Sequence, residues 1–262
     1  MTSQRLHGKN VLVCGAETGI GAAVVRRFAA EGAAVLASGI QSLPLQALAA
    51  ETGAAYALCN VTDQAQVEAT VHAASARTGG LHVVVNAAGV MHADNVADVE
   101  DGVWDRLLAV NLTGTMRVCR AAVPRLVEAG GGAIVNIASV AAFNASAGSA
   151  SYASGKAGVV ALTRSIANEY GRYGIRANSL CPGWVRTPMS EAEMAEVAAA
   201  TGSTVEEAFE ALKARIALRR IASADEMAAA ALFLASDDAS FVTGIALVAD
   251  GGARTPAAAR AV

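Results

Sequence analysis

Seven short apolar runs recur along the 262-residue chain, separated by stretches of helical, alanine-rich composition. They are KNVLVC (9–14), AAVLAS (33–38), AAYALC (54–59), LHVVVNA (81–87), AIVNIAS (133–139), GIRANSL (174–180) and GIALVAD (244–250). The runs are continuous rather than alternating, which is the pattern of strands covered on both faces, and hence of a parallel sheet. Between them the composition predicts helices over 19–32, 43–53, 63–78 and 151–170, and one through Trp104 and Val118. Strand–helix alternation builds βαβ units with right-handed crossovers, so the expected fold is α/β: a doubly wound parallel sheet with helices on both faces. No repeat or Pro/Ser-rich linker divides the chain, and a single domain over 1–262 is expected. The long departure from alternation is 187–221, where charged and apolar spacing suggests one or two amphipathic helices over the carboxyl edge of the sheet.

Composition removes several function classes. A hydrophobic content of 54% supports a substantial core, while a net charge of −3 gives no electrostatic footprint for nucleic acid. No apolar stretch is long and uninterrupted enough to span a bilayer, so no membrane partner is expected. The start, MTSQRLHGKNVLV, lacks the apolar segment and cleavage site of a signal peptide, which points to the cytoplasm. Cys14, Cys59, Cys119 and Cys181 are widely spaced in apolar surroundings and read as buried free thiols; no metal site is expected.

Directly after the first strand comes Gly15-Ala16-Glu17-Thr18-Gly19-Ile20-Gly21, which opens a helix. Glycines let backbone approach a pyrophosphate closely, and a helix N-terminus offers free N–H groups and a positive dipole end. At the end of the second strand, VLASGIQ (35–41) raises a difficulty. An acid there reads the ribose 2′-hydroxyl of NAD and an Arg accommodates the 2′-phosphate of NADP, but Gly39 and Ile40 can do neither.

Tyr152 and Lys156 stand four apart at the start of a predicted helix, one turn apart on one face. A lysine charge at about 5 Å, in an effective dielectric near 20, contributes roughly 3 kcal/mol to a phenolate. That lowers the phenol's pKa towards the working range of a general acid/base. Ser139 ends a strand thirteen residues earlier, at the edge where ligands bind such sheets, and can donate to a substrate carbonyl. Asn111 lies inside an otherwise helical pattern and completes a four-residue constellation.

Taken in order, CGAETGIG (14–21), NVTD (60–63), NAAG (86–89), Asn111 in VNLTG, Ser139, YASGK (152–156), CPGWVRTPM (181–189) and FLASDDASFVTG with its closing DGG resemble the short-chain dehydrogenase/reductase family over nearly the whole length. The resemblance implies a Rossmann-type fold and an oxidoreductase that moves a hydride between a nicotinamide cofactor and a secondary alcohol or ketone. Tyr152 then resembles the catalytic acid/base and Lys156 the group that tunes it and binds the nicotinamide ribose. Ser139 matches the carbonyl-orienting donor, and Asn111 the helix-distorting residue that holds a relay water. Asn86, Ala87, Ala88 and Gly89 match the segment over the adenosine side. Pro182, Gly183, Val185 and Thr187 match the loop that holds the carboxamide. Asn60, with Val61, replaces the commoner Asp at the adenine amino group; its amide oxygen can still accept that bond. Cys14 replaces the usual Thr.

Family members that use NADP carry a basic residue at the position of Thr18 or of Ile40; neither is basic here, and Glu17 adds a negative charge that repels a 2′-phosphate. Glu17 could reach the ribose hydroxyls itself. The balance favours NAD over NADP. Met91, Ala141, Ala142, Asn144, Trp184 and Met189 are expected to line the substrate pocket, favouring a small to medium, uncharged, fairly hydrophobic alcohol or ketone. Trp184 reads equally as ring stacking or as packing, and Arg186, Arg219 and Arg220 as solvated charges rather than contacts to an acidic substrate. The 187–221 segment is expected to act as a lid. An NADPH-dependent 3-oxoacyl-thioester ketoreductase and a catalytically silent dinucleotide-binding redox sensor are the competing readings. A homotetramer or homodimer is expected by resemblance, with faces in 103–129 and 151–172. The closing ARTPAAARAV reads as a frayed end.

Overall fold

The computed structural model describes residues 4–253; the segment from Arg254 onwards, on which most of the closing tail falls, lies outside the described residues. Strands β1 (Asn10–Cys14), β2 (Ala34–Gly39), β3 (Ala55–Leu58), β4 (Val83–Asn86), β5 (Gly132–Ile137), β6 (Ile175–Pro182) and β7 (Ala246–Ala249) match the seven apolar runs. They form one sheet in the order β3-β2-β1-β4-β5-β6-β7. Every pair is parallel. The expected α/β doubly wound sheet is present.

The continuous apolar runs have a direct structural cause. Successive strand residues point to opposite faces, so a sheet covered twice needs apolar side chains at every position. Val11, Val13, Val83, Val85 and Val135 face α1 (Gly19–Ala30), α2 (Ser42–Thr52) and α9 (Ala224–Ala235) through Val24, Phe28, Leu45 and Leu232. Their neighbours Leu12, Val84 and Ile134 face the other layer, formed by α3 (Gln64–Ser75), α5 (Thr115–Glu128) and α6 (Ala150–Tyr170), through Val67, Val118, Leu126 and Ile166. All four cysteines are buried, and none is joined in a disulfide. Burial pushes the Cys14 and Cys119 thiols up to about 12, so neither is a thiolate at neutral pH.

The helix expected through Trp104 and Val118 is not regular. It runs as α4 (Asp101–Leu108), a π-helical turn over Ala109–Gly114, and α5. The 187–221 segment supplies two helices, α7 (Pro188–Thr201) and α8 (Val205–Lys213), each opened by a threonine capping box. They share a small core of Met194, Ala208 and Phe209, separate from the two main layers.

One buried polar chain crosses the apolar sheet. Asn86 Nδ2 donates to Asn136 Oδ1 (2.8 Å), Asn136 Nδ2 donates to Thr163 Oγ1 (2.9 Å), and Ser179 Oγ is 2.9 Å from the same threonine. It ties β4, β5, β6 and α6 together beneath the site. Asn136→Ala would leave buried donors without partners and open a small void, so it should cost about 2–4 kcal/mol. A urea unfolding curve would read this directly. An unchanged midpoint would mean the chain contributes no net stability.

Candidate functional site

At the carboxyl end of β1 the chain turns through Gly15, whose φ is +74°. A Cβ there would lie 2.5 Å from Ala88 Cα, and one on Gly21 would lie 2.8 Å from the Gly15 carbonyl carbon. Only glycine lets the two loops and the start of α1 approach this closely, and the sheet order reverses between β1 and β4 at the same point. The cradle has the shape and the free helix N-terminus that a dinucleotide pyrophosphate needs. Thr18 is exposed and Ile20 partly buried at its rim. Across the crevice, a Cβ on Gly19 would meet Thr187 Cγ2 at 3.3 Å, so the phosphate loop faces the loop after β6.

The end of β2 differs from what its own residues suggest. Glu17 folds over Gly39 and accepts a hydrogen bond from the Ile40 N–H at 3.0 Å. A Cβ on Gly39 would lie inside that carboxylate, 2.7 Å from Oε1 and closer still to Oε2. Ile40 is exposed beside it.

On the other side of the crevice, Ser139 follows β5 and caps a short turn by accepting from the Ala141 N–H (3.1 Å). Tyr152 lies in the first turn of α6, its phenol beside the Ser139 hydroxyl. Lys156 is buried, its Nζ 5.6 Å from the centre of the Tyr152 ring and donating to the Ile137 carbonyl at 2.9 Å. Asn111 forms a two-bond clamp with Val90: its Oδ1 accepts from the Val90 N–H and its Nδ2 donates to the Val90 carbonyl, both at 2.9 Å. The π turn releases the Asn111 region from regular helix geometry, and Thr115 Oγ1 donates to the Asn111 carbonyl (3.0 Å). Gly89 leaves room here, since a Cβ would meet Asn111 Oδ1 at 3.2 Å and Lys156 Nζ at 3.4 Å.

Electrostatics run against the simple expectation for the phenol. Burial pushes Tyr152 above its ordinary value, Ser139 works the other way, and the Glu193 carboxylate on α7 adds to the rise. Burial also brings Lys156 down to about 8. Desolvation dominates both shifts, because each charged form loses water on entering the fold. Lys156 is therefore charged at neutral pH but loses its proton well before an exposed lysine.

Several expected positions are placed differently. The Asn60 amide oxygen is engaged within its own loop, accepting from the Thr62 N–H (3.0 Å) and hydroxyl (2.8 Å). Asn86 is buried in the polar chain beneath the crevice, whereas Ala87 and Ala88 line it against Gly15. Val61 is buried under Gly114. Trp184 is partly buried and packs against the α7–α8 core. Met91, Ala141 and Ala142 are partly buried, and Asn144 and Met189 are exposed. Pro182 ends β6, the Gly183 N–H donates to the Ala249 carbonyl (2.9 Å), and Val185 pairs with Ala222 in an isolated bridge.

Arg186 is not simply a solvated charge. It pairs with Glu191 on α7 and with Glu206 on α8 (3.1 Å), and its guanidinium lies 4.0 Å from the centre of the Phe209 ring. It thus fastens both helices to the loop that carries Val185 and Thr187. Arg220 pairs with Glu226, and Arg219 donates to the Ala214 carbonyl. Two further residues escape sequence reading. Asp94, buried, accepts from both the N–H (3.0 Å) and the hydroxyl of Ser151, and so fixes the turn that carries Tyr152. Glu193 stands among several glutamates in its segment, with nothing in the pattern to mark it.

The chain has three lysines, Lys9, Lys156 and Lys213, which makes the Lys156 value accessible. In a ¹³C-lysine-labelled sample, one side-chain signal should titrate near 8 and vanish in Lys156→Arg. A Lys156 signal titrating with the ordinary lysine value near 10.4 would contradict this account of its burial.

Comparison with known proteins agrees with this geometry. A family model described as enoyl-(acyl carrier protein) reductase matches residues 15–254. D-threitol dehydrogenase of Mycolicibacterium smegmatis is 40% identical over 253 residues, covering 95% of this chain and 94% of that protein. The 3-alpha-(or 20-beta)-hydroxysteroid dehydrogenase of Mycobacterium tuberculosis is 40% identical over 252 residues, covering 95% and 91%. Among solved structures, a variant of actinorhodin polyketide ketoreductase with NADPH superposes with a TM-score of 0.90 at 32% identity, over 97% of this chain and 100% of that one.

Proposed function

Because the chain belongs to the short-chain dehydrogenase/reductase family, we propose that it is an NAD-dependent dehydrogenase that interconverts a secondary alcohol and its ketone. The observation that carries this reading is the placement of Ser139, Tyr152 and Lys156 around one point at the carboxyl edge of the sheet, beside the glycine cradle. Gly15, Gly19 and Gly21 would hold the pyrophosphate, Lys156 the nicotinamide ribose, and Val185 and Thr187 the carboxamide. The bound nicotinamide supplies a hydride acceptor or donor and, when oxidised, a positive charge.

In alcohol oxidation, the Ser139 hydroxyl orients the substrate oxygen and Tyr152 takes the hydroxyl proton as the hydride leaves the carbon. In reduction Tyr152 returns that proton to the carbonyl oxygen. Charged Lys156 favours the phenolate against the burial that opposes it. The Asn111 clamp on Val90 and the Asp94 cap on Ser151 fix the backbone on either side, so Tyr152 is a preorganised group. A relay water between Asn111 and Lys156 is part of the same proposal.

The α7–α8 pair, with its own small core and its Arg186 fastening, is suited to act as a lid that excludes water. Met91, Ala141, Asn144 and Met189 would border the cleft, and their neutral side chains favour an uncharged, fairly hydrophobic substrate. Among the described residues no helix is long and apolar enough to cross a membrane, in keeping with a cytoplasmic placement. The exposed small residues Ser154, Ala157 and Ala161 on α6 would let a second copy approach closely, in keeping with a homodimer or homotetramer. The resemblance to a polyketide ketoreductase with NADPH keeps reduction of a 3-oxoacyl thioester as a second reading. The lack of a basic residue at Thr18, Gly39 or Ile40 weighs against it.

Replacing Tyr152 with Phe removes one hydroxyl group. Turnover of a secondary alcohol should fall by a factor of roughly 10²–10⁴, while the nicotinamide cofactor binds as before. Turnover at the wild-type rate would exclude Tyr152 as the proton-transfer group. Binding without any turnover by the wild-type protein, across a broad alcohol and ketone screen, would favour the silent redox sensor.

A further inference from the structure

We infer that Glu17 and Gly39 form one cofactor-reading unit, in which the ribose-reading acid of this chain comes from the phosphate loop and the glycine of β2 is the space it requires. The inference rests on the NAD reading above. Read along the strand, Gly39 is a missing acid. Read across the crevice, it is the residue over which another acid lies.

Three observations carry this. The Glu17 carboxylate is held in place, because Oε1 accepts from the Ile40 N–H at 3.0 Å. The Ala16 N–H donates to the Ser38 carbonyl (2.9 Å), so the phosphate loop is pinned to the end of β2 immediately before Gly39. Second, the arrangement excludes any side chain at 39, since a Cβ there would stand 2.7 Å from Oε1 and within bonding distance of Oε2. An Asp at 39 and a Glu17 in this position therefore cannot coexist. Third, Oε2 is shielded from solvent and has no hydrogen-bond partner among the described residues. A shielded carboxylate oxygen without a donor is costly, and a ligand hydroxyl is the kind of group that relieves it.

Glu17 is partly exposed, and a small rotation of its carboxylate brings Oε2 out to accept from a ribose 2′-hydroxyl. A 2′-phosphate cannot donate in this way, and it would bring about two further negative charges against the carboxylate. Residues 38–43 read Ser-Gly-Ile-Gln-Ser-Leu, with no lysine or arginine to offset the repulsion. Discrimination between the two dinucleotides then resides in a contact between positions 22 residues apart, and each half of the pair looks unremarkable alone.

The test is titration of NADH and of NADPH into wild-type protein, Glu17→Gln, Gly39→Asp, and the double variant Glu17→Ala/Gly39→Asp, following nicotinamide fluorescence. Wild type should prefer NADH. Glu17→Gln, which keeps the shape and loses the charge, should reduce that preference by roughly tenfold or more. Gly39→Asp alone should weaken NADH binding, because the new side chain displaces Glu17. The double variant, with room for the strand acid, should recover the preference for NADH. A wild-type preference for NADH that survives unchanged in Glu17→Gln would overturn this inference and leave the NAD reading standing. A wild-type preference for NADPH would overturn both. Melting temperatures identify a variant that fails to fold, and the near-isosteric Glu17→Gln decides the matter if Gly39→Asp does.

Discussion

Val13 pairs with Val85 and Cys14 with Asn86 where β1 meets β4, and the connections that leave these two strands turn to opposite faces of the sheet. The helix after β1 packs with Val24 and Phe28 on one layer, and the helices after β4 pack through Val118 and Leu126 on the other. A crevice must open between them. Every functional feature borders it: the glycine cradle after β1, Glu17 lying over the end of β2, the Gly89 turn after β4, Ser139 after β5, and the Val185–Thr187 loop after β6. Parallel strands are what make this possible, since all of them deliver their carboxyl ends to the same edge.

Within that crevice, the proposed chemistry depends on placing two ionisable groups where neither is comfortable. Burial raises the phenol of Tyr152 and lowers the ammonium of Lys156, so the fold works against the charged form of each. What the fold supplies instead is rigidity. The Ile137 carbonyl holds Lys156, Asp94 holds the turn before Tyr152, and the π turn lets Asn111 clamp Val90. A buried proton-transfer group with fixed neighbours responds strongly to a charge brought beside it, because little water is present to screen that charge.

The layers of the fold were legible in the sequence because the period of a doubly covered strand is visible in every residue. Each of the seven runs became a strand, and the departure at 187–221 became two helices with their own core. The closeness of Tyr152, Lys156 and Ser139 was legible because helix spacing and strand ends place side chains, while their proposed roles came from the family resemblance. What escaped involves contacts between distant segments. Gly39 reads as a lost acid until Glu17 is seen folded over it. Asp94 is 57 residues from the Ser151 it caps, and no local pattern links them. Trp184 offered two readings of equal weight, and its contact with the α7–α8 core, assembled from residues on two later helices, was not visible in the sequence. Arg186 looked like one more solvated charge, yet its two carboxylates come from separate helices and its aromatic ring from the second of them.

The central claim is that the partly buried Tyr152 phenol exchanges the proton and that the Lys156 charge governs its ionisation. The pH dependence of kcat for alcohol oxidation, with cofactor and alcohol both saturating, tests it most directly when wild type is compared with Lys156→Met. Oxidation needs the phenolate, so the rate should rise with pH along a single limb. On this account the phenol, beside the positive charge of the oxidised nicotinamide, must ionise before Lys156 loses its own proton at about 8, so removing the lysine charge in Lys156→Met should move that limb to higher pH. A limb at the same pH in both proteins would show that Lys156 does not set the proton-transfer group's ionisation, and would contradict the account.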